Sequence, residues 1–457
     1  MDLHSFLTHV DWVILGPIFA VALAPIILRW PVESSLGLYA FLVPFDDVAM
    51  IGSGHTGPTL TKFVGGGAAL IAVVVGLVER RLTRPPRAAM WLTLFIVWAG
   101  ITSLWSLDTQ DAYSRVATAG ALLVVYLAAV CLRVTEKEFR AVVWLAILGA
   151  CAAAGYGVHA FHRGTIYVGP AGYGGHVGRG SEIRGSLILG AQEADPDVFG
   201  DLLLTPLSLA VGLLLADRSW LRRGLWISAV ALIAFAVFAT MSRGAVVALI
   251  AMLLVYLYRY RMSWRAWVPI GVMGAMLSMV PETFFSRVGK SYSTGGAGRL
   301  DIWTVGLHGL QRYGLAGAGL ESFPYVYGQY IGYAPNYLGR ELRGSHNIYL
   351  GMAVELGILG LILMIAAFAS HFGAARRSSR TAGSESPPPP LTPYEAACWG
   401  LLVDGFFLDL IWRKGFWLGW MLLAIAVRLR EDRRTAGRHI DYESARSISH
   451  VSHALRA

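Results

Sequence analysis

The sequence predicts an all-α protein, a polytopic bundle of transmembrane helices with one large polar loop that contains short helices. Hydrophobic residues make up 55% of the 457 residues and charged residues only 15%, whereas about a quarter of a soluble globular chain is charged. The mean hydropathy of +0.54 agrees with this. Fifteen Trp and nineteen Tyr are typical of aromatic belts at membrane interfaces. The chain is therefore expected to be an integral membrane protein.

A transmembrane helix needs about 20 apolar residues, and the sequence contains 12 or 13 candidate spans. The second candidate is short and contains Pro44, which predicts a broken or re-entrant segment. The candidates cover residues 12–28, 35–48, 60–78, 88–106, 115–133, 139–161, 194–216, 222–240, 244–259, 265–281, 345–372, 394–411 and 415–428.

Basic short loops alternate along these spans, and basic loops are the cytoplasmic ones. The connections at 161–193 and 281–344 are then external. The formal charge of +9 needs no nucleic acid partner, since Arg residues flank spans and contact membrane lipids. The basic loops cover residues 79–87, 133–140, 217–223, 258–265 and 376–380.

These spans and loops predict five consecutive regions. A core at 191–372 contains the periplasmic loop 281–344 and follows the N-terminal helices and Gly-rich loop of residues 1–190. A cytoplasmic Pro-rich linker at 373–393 leads to two C-terminal helices at 394–428. The basic cytoplasmic tail at 429–457 is expected to be disordered.

The segment Ser345-His346-Asn347-Ile348-Tyr349-Leu350 stands between the polar loop and an apolar helix. His346 is therefore expected at the boundary between water and bilayer. Imidazole titrates near neutral pH and can accept a proton from a sugar hydroxyl. A single interfacial His is usually structural, but the nearby Asn347, Tyr349 and Glu355 favour a catalytic interpretation. We predict His346 as the catalytic residue and these three as residues that support it.

Arginines in the predicted periplasmic loops oppose the usual charge distribution, which indicates an anionic ligand there. Arg243 lies in a tight turn between two spans, where an unpaired charge is costly. Arg299 opens an amphipathic helix that is expected to lie on the bilayer surface. Guanidinium groups pair with phosphate oxygens in a planar fork, so we predict a diphosphate site at both residues. The alternative is that the two side chains only reach the membrane interface.

Asp195 precedes Pro196 at the start of the seventh span, a pattern typical of a helix N-cap. Contact with an acceptor or a divalent ion is the alternative for Asp195. The acidic pairs at 46–47 and 195–197 do not make a convincing metal site, and the three Cys lack metal-binding spacing. We therefore expect neither a metal nor another cofactor.

Four motifs in this order resemble the O-antigen ligase/O-antigen polymerase family of bacterial polytopic membrane glycosyltransferases. The resemblance covers about residues 190–365. The motifs are Ser242-Arg243-Gly244, Gly298-Arg299-Leu300-Asp301-Ile302-Trp303, Gly317-Ala318-Gly319-Leu320-Glu321-Ser322-Phe323, and His346-Asn347-Ile348-Tyr349-Leu350 with Glu355-Leu356-Gly357.

The resemblance implies transfer of a glycan from an undecaprenyl diphosphate carrier to an acceptor at the periplasmic face of the inner membrane. The reaction would invert the anomeric carbon, without a metal. The acceptor is lipid A–core for a ligase, the preferred interpretation, or the growing glycan for an O-antigen or exopolysaccharide polymerase. A transporter or flippase is the alternative from another class. It predicts charges at mid-span and internal repeats, and no repeat is clear in the sequence.

Overall fold

The computed structural model describes residues 24–48, 59–164, 184–189, 192–260, 298–335, 342–380 and 390–454, together with Gly271 and Gly274. Over these residues it is a bundle of helices, which confirms the predicted all-α polytopic fold. Most of the predicted span at 12–28 and all but Gly271 and Gly274 of the predicted span at 265–281 lie outside the described residues, as do Gly295, Gly296 and most of the Gly-rich loop.

Eight of the described helices are long and apolar enough to cross a membrane. They begin at Leu60, Arg87, Thr109, Glu136, Pro196, Trp220, Arg243 and Gly357. The first eight helices are α1 (Pro31–Leu42), α2 (Leu60–Val78), α3 (Arg87–Thr102), α4 (Thr109–Cys131), α5 (Glu136–His162), α6 (Pro196–Ala216), α7 (Trp220–Ala239) and α8 (Arg243–Tyr260). The remainder are α9 (Arg299–Tyr313), α10 (Phe323–Tyr330), α11 (Ile348–Glu355), α12 (Gly357–Arg380), α13 (Thr392–Asp404) and α14 (Lys414–Ala454). A two-residue antiparallel hairpin joins Ile188–Leu189 to Gln192–Glu193.

Several predicted spans differ from the observed helices. The helix α1 ends before Pro44 and passes into a 3₁₀ turn at Val43–Phe45, in agreement with the predicted break. The predicted span 345–372 is divided at Leu356, because Gly357 takes a left-handed conformation (φ +70°) between α11 and α12. Helix α13 has 13 residues, about 20 Å, which is shorter than the apolar thickness of a bilayer.

The predicted disorder of the C-terminal tail is wrong for the described residues. Helix α14 continues without interruption from the last apolar segment through to Ala454. Its basic part is held against neighbouring helices, since Arg133 pairs with Asp432 at 3.3 Å and Arg433 pairs with Glu136. Ion pairs to Arg133, just before α5, and to Glu136, the first residue of α5, therefore join the beginning of the tail to the bundle.

Helix α6 is the central span. Of its apolar segment, 94% is buried inside the protein, against 33–50% for the other seven spans. It packs against α5, α7, α8 and α13. Its large apolar side chains, among them Phe199, Leu203 and Leu204, are fully buried. The N-terminus of this helix is therefore placed in the middle of the bundle, where it contacts the turns that join the surrounding spans.

The described parts of the short basic loops lie at one end of the bundle, which we call the basic end. Helix α12 also finishes there, because Arg434 donates a hydrogen bond to the carbonyl of Ser378. His346 precedes α11 and α12 and therefore lies at the opposite end, which we call the site end. Ion pairs at the basic end join Arg81 to Glu138 (2.5 Å) and Arg259 to Glu395 (2.6 Å).

The close contact between α1 and α5 gives a test of the packing. A Cβ atom added to Gly149 would overlap the backbone carbonyl of Phe41. We expect Gly149→Ala to destabilise the protein by about 1–3 kcal/mol, the usual cost of overpacking. Thermal unfolding of the purified protein in detergent, followed by circular dichroism, measures this effect.

The matched control is Gly155→Ala in the same helix, where an added Cβ meets no atom within 4 Å. It should be neutral or stabilising by up to about 1 kcal/mol, because Ala is the better helix former. Equal melting temperatures for the two variants would show that α1 and α5 do not approach each other this closely.

Candidate functional site

The connection between α13 and α14, residues 404–409, contacts three of the predicted motifs, those of Arg243, Arg299 and His346. The backbone N–H of Ile348 donates a hydrogen bond of 2.8 Å to the carbonyl of Gly405. The ring of Tyr349 packs on that of Phe406, with centroids 4.4 Å apart. The 404–409 turn therefore holds the start of α11, directly after His346.

Both predicted arginine motifs reach the same turn. The guanidinium of Arg299 lies over the ring of Phe407, 5.5 Å from its centroid, a distance that favours cation–π attraction. Gly244, next to Arg243, approaches so closely that an added Cβ would overlap the carboxylate of Asp404 and lie 3.0 Å from Cβ of Phe407. The 404–409 turn thus connects the Arg243, Arg299 and His346 motifs.

His346 combines an exposed side chain with a fixed backbone. Its φ of +46° lies in the left-handed region, which is uncommon for residues other than glycine. Its N–H donates a hydrogen bond of 3.0 Å to Oδ2 of Asp409, and the hydroxyl of Ser345 donates to Oδ1 of the same carboxylate. Asp409 therefore fixes the backbone of this turn, while the His346 side chain stays exposed.

Asn347 and Tyr349 hold the helix that follows His346. The Oδ1 atom of Asn347 caps α11, since it accepts hydrogen bonds from the N–H groups of Tyr349 (3.0 Å) and Leu350 (3.1 Å). The hydroxyl of Tyr349 donates to the carbonyl of Leu402 at 2.8 Å. Of the four predicted supporting residues, Asn347 thus caps α11, and Tyr349 holds it against α13.

Asp195 is the N-cap of α6, as the sequence predicts. Its Oδ1 accepts a hydrogen bond of 2.8 Å from the N–H of Asp197. Asp197 itself pairs with Arg184 at 2.7 Å, and Nε of Arg184 donates to the carbonyl of Thr240 at 2.8 Å. These contacts join the start of the central helix to the turn that carries Arg243.

Backbone strain is concentrated in the sequence motifs. Among the described residues other than glycine, Arg80, Met241, Glu321 and His346 have a positive φ. Three of these four lie in or beside the Ser242-Arg243-Gly244, Gly317–Phe323 and His346 motifs. Such conformations persist only where surrounding contacts hold them, and they are frequent at functional sites.

A cavity of about 1170 Å³ opens beside the His346 turn. Ser345, Glu355 and Asp195 line it, whereas His346, Arg243 and Arg299 lie outside its wall. Seven carboxyl side chains and four cationic ones face the cavity, so its lining is acidic. The carboxyl groups are those of Asp46, Asp108, Asp111, Asp195, Glu321, Glu355 and Asp409, and the cations are Lys62, Arg115, Arg413 and Lys414. In the described part of the chain, no three His, Cys, Asp or Glu side chains converge as a metal site.

Glu355 is buried at the wall of this cavity. Its Oε1 accepts a hydrogen bond of 3.1 Å from the N–H of Phe323. Burial, with a smaller contribution from the nearby Glu321, raises the pKa of Glu355 well above its usual range. Glu321 forms an ion pair with Arg115 at 2.5 Å. At this point of the wall, burial therefore disfavours the charged form of Glu355, whereas Glu321 has an arginine partner.

The sequence analysis missed the charged residues between the two C-terminal helices. Arg413 pairs with Asp47 at 2.8 Å, and Lys414 pairs with Asp46 at 2.5 Å. The segment that binds the His346 turn through Asp409 therefore also binds the residues between α1 and α2. Charges that interrupt an apolar stretch usually mark a functional region, and this signal at 404–414 was available in the sequence.

A family model described as O-antigen ligase matches residues 228–365 of the chain. No curated protein matches. The matched segment contains Arg243, Arg299 and His346, and the motif of each contacts the 404–409 turn. Over residues 228–365, this match supports the O-antigen ligase family, which the motifs of the sequence also resemble.

Proposed function

We propose that the protein transfers a glycan from an undecaprenyl diphosphate carrier to an acceptor hydroxyl at the periplasmic face of the bacterial inner membrane. The observation that carries this proposal is the exposed His346 on a strained backbone held by Asp409. This His lies beside a turn that also contacts both arginine motifs. A general base needs such a fixed position close to the ligand that it serves.

In the proposed reaction, the imidazole of His346 accepts the proton of the acceptor hydroxyl. The hydroxyl oxygen then bonds to the anomeric carbon of the donor glycan, on the face opposite the diphosphate. The bond between that carbon and the diphosphate oxygen breaks, and undecaprenyl diphosphate leaves with the electron pair. Attack from the opposite face inverts the anomeric carbon, and a general base contributes about 10²–10⁴-fold to such a step.

Arg243 and Arg299 are proposed to bind the diphosphate. Both side chains are half-buried, and their motifs contact the same turn, so they can act on one ligand. Guanidinium groups neutralise the negative charge that grows on the leaving diphosphate, and electrostatic groups of this kind are each worth about 10²–10³-fold in rate. No metal is required in this proposal.

The acidic cavity is proposed to take the acceptor. Seven carboxyl groups and four cationic groups face this cavity, so a phosphorylated acceptor such as lipid A–core would be repelled. Tyr325 and Trp412 also line the wall, and aromatic rings with carboxylates suit sugar hydroxyls. This observation favours the second candidate function, polymerisation on an uncharged glycan, over the ligase reaction that the sequence analysis preferred.

The proposed base gives the first test. His346→Ala and His346→Gln should both lose glycan transfer by at least about 10²-fold, because neither side chain accepts a proton at neutral pH. Binding of the lipid-linked donor should be retained, since the diphosphate contacts are assigned to Arg243 and Arg299. Transfer assays with purified protein and donor-binding measurements separate the two effects. Full transfer by a folded His346→Gln protein would remove this residue from the mechanism.

The diphosphate contacts give the second test. Arg243→Ala and Arg299→Ala should each reduce transfer by about 10²–10³-fold and weaken donor binding, with normal membrane insertion. Lys at either position should restore activity only in part, because an ammonium group cannot form the bidentate pair. A suitable control is Arg312→Ala on α9, outside the 404–409 turn and the cavity. If both Ala variants keep normal rates, the diphosphate is bound elsewhere.

Acceptor choice gives the third test. With a single lipid-linked donor, kcat/KM should be about tenfold or more higher for an uncharged oligosaccharide acceptor than for the same glycan carrying phosphates. Added salt should reduce this difference, because it screens the repulsion from the cavity wall. Transfer to the phosphorylated acceptor at an equal or higher rate would favour the ligase reaction instead.

A further inference from the structure

A second cavity, of about 490 Å³, lies at the basic end among α3, α4, α12 and α14. Its charged lining consists of Arg87, Arg377, Arg428 and Glu431. Three guanidinium groups against one carboxyl group make this lining positive. The cavity is separate from the proposed glycan site, which lies at the opposite end of the bundle.

One of these arginines is fixed by backbone groups. The guanidinium of Arg428 donates hydrogen bonds to the carbonyl of Val130 at 2.7 Å and to that of Arg84 at 3.2 Å. These two hydrogen bonds join the end of α4 to the loop that precedes α3. Arg87, the first residue of α3, is exposed and makes no ion pair with any residue in the described ranges. The lining therefore carries more positive than negative groups, and the exposed Arg87 contributes one of them.

The remaining wall of this cavity is mostly apolar and follows the membrane-spanning part of the bundle. It includes Leu423, Ala424 and Val427 on α14. His371 also lines it, but both ring nitrogens are occupied, by the hydroxyl of Tyr126 (2.7 Å) and the carbonyl of Ala367 (2.8 Å). An anion at the arginines would thus have a hydrocarbon-like surface directly beside it.

We propose that this cavity binds one anionic phospholipid, with its phosphate at Arg87, Arg377 and Arg428 and an acyl chain along α14. Basic pockets between transmembrane helices bind such head groups. A free phosphate offers the same charge, but it would leave the apolar wall uncovered, so the lipid is the ligand that fits both parts. The proposal is independent of the glycan-transfer function.

The test compares lipids and variants on the full-length protein by native mass spectrometry from detergent. Wild-type protein should bind phosphatidylglycerol about tenfold or more tightly than phosphatidylcholine, since arginines attract anionic head groups. Arg87→Gln should weaken this preference, and Arg87→Gln combined with Arg377→Gln should abolish it. Arg376→Gln is the matched control, because Arg376 is exposed on α12 but does not line the cavity.

Two results would overturn the proposal. The first is an undiminished preference for phosphatidylglycerol in the double variant while its melting temperature equals that of the wild type. The second is complete displacement of the lipid by inorganic phosphate, which would identify a free anion as the ligand. If the double variant does not fold, the single Arg87→Gln variant decides the question, because the exposed Arg87 has no described ion pair to lose.

Discussion

The carboxylate of Asp409 is the interaction on which the candidate site depends. One oxygen binds the hydroxyl of Ser345 and the other binds the N–H of His346, so one side chain fixes the backbone on both sides of the peptide bond between them. A left-handed conformation at a residue with a Cβ costs about 1–2 kcal/mol, and these two hydrogen bonds offset it. The exposure of the imidazole follows from this backbone arrangement.

Lys414, five residues after Asp409, connects the site to the segment between α1 and α2. Lys414 reaches Asp46 and also donates to the hydroxyls of Thr59 (2.7 Å) and Thr61 (2.9 Å). Charged groups in a membrane protein are costly unless they are paired. These contacts therefore specify how the start of α2 meets the start of α14. The wall of the large cavity is built from both ends of the sequence as a result.

Much of the fold was predictable from local sequence. Apolar length located the spans, the Asp195-Pro196 pair located the start of α6, and Pro44 indicated the end of α1. The break at Leu356 and the continuation of α14 were not predictable, because they depend on a single left-handed glycine and on charge pairing between distant helices. Within the site, residues 228–365 carried recognisable motifs, whereas the role of Asp409 appears only when the 404–409 turn is placed beside them.

The position of Asp409 has a consequence for exchanging parts between related proteins. The residues matched by the O-antigen ligase family end at 365, yet the carboxylate that holds the His346 turn comes from 44 positions further on, in the connection between the last two helices. A chimera that received only the matched segment would combine the imported His with a foreign C-terminal connection. Swapped segments that preserve the geometry of this turn therefore have to include residues 404–414 of the same parent.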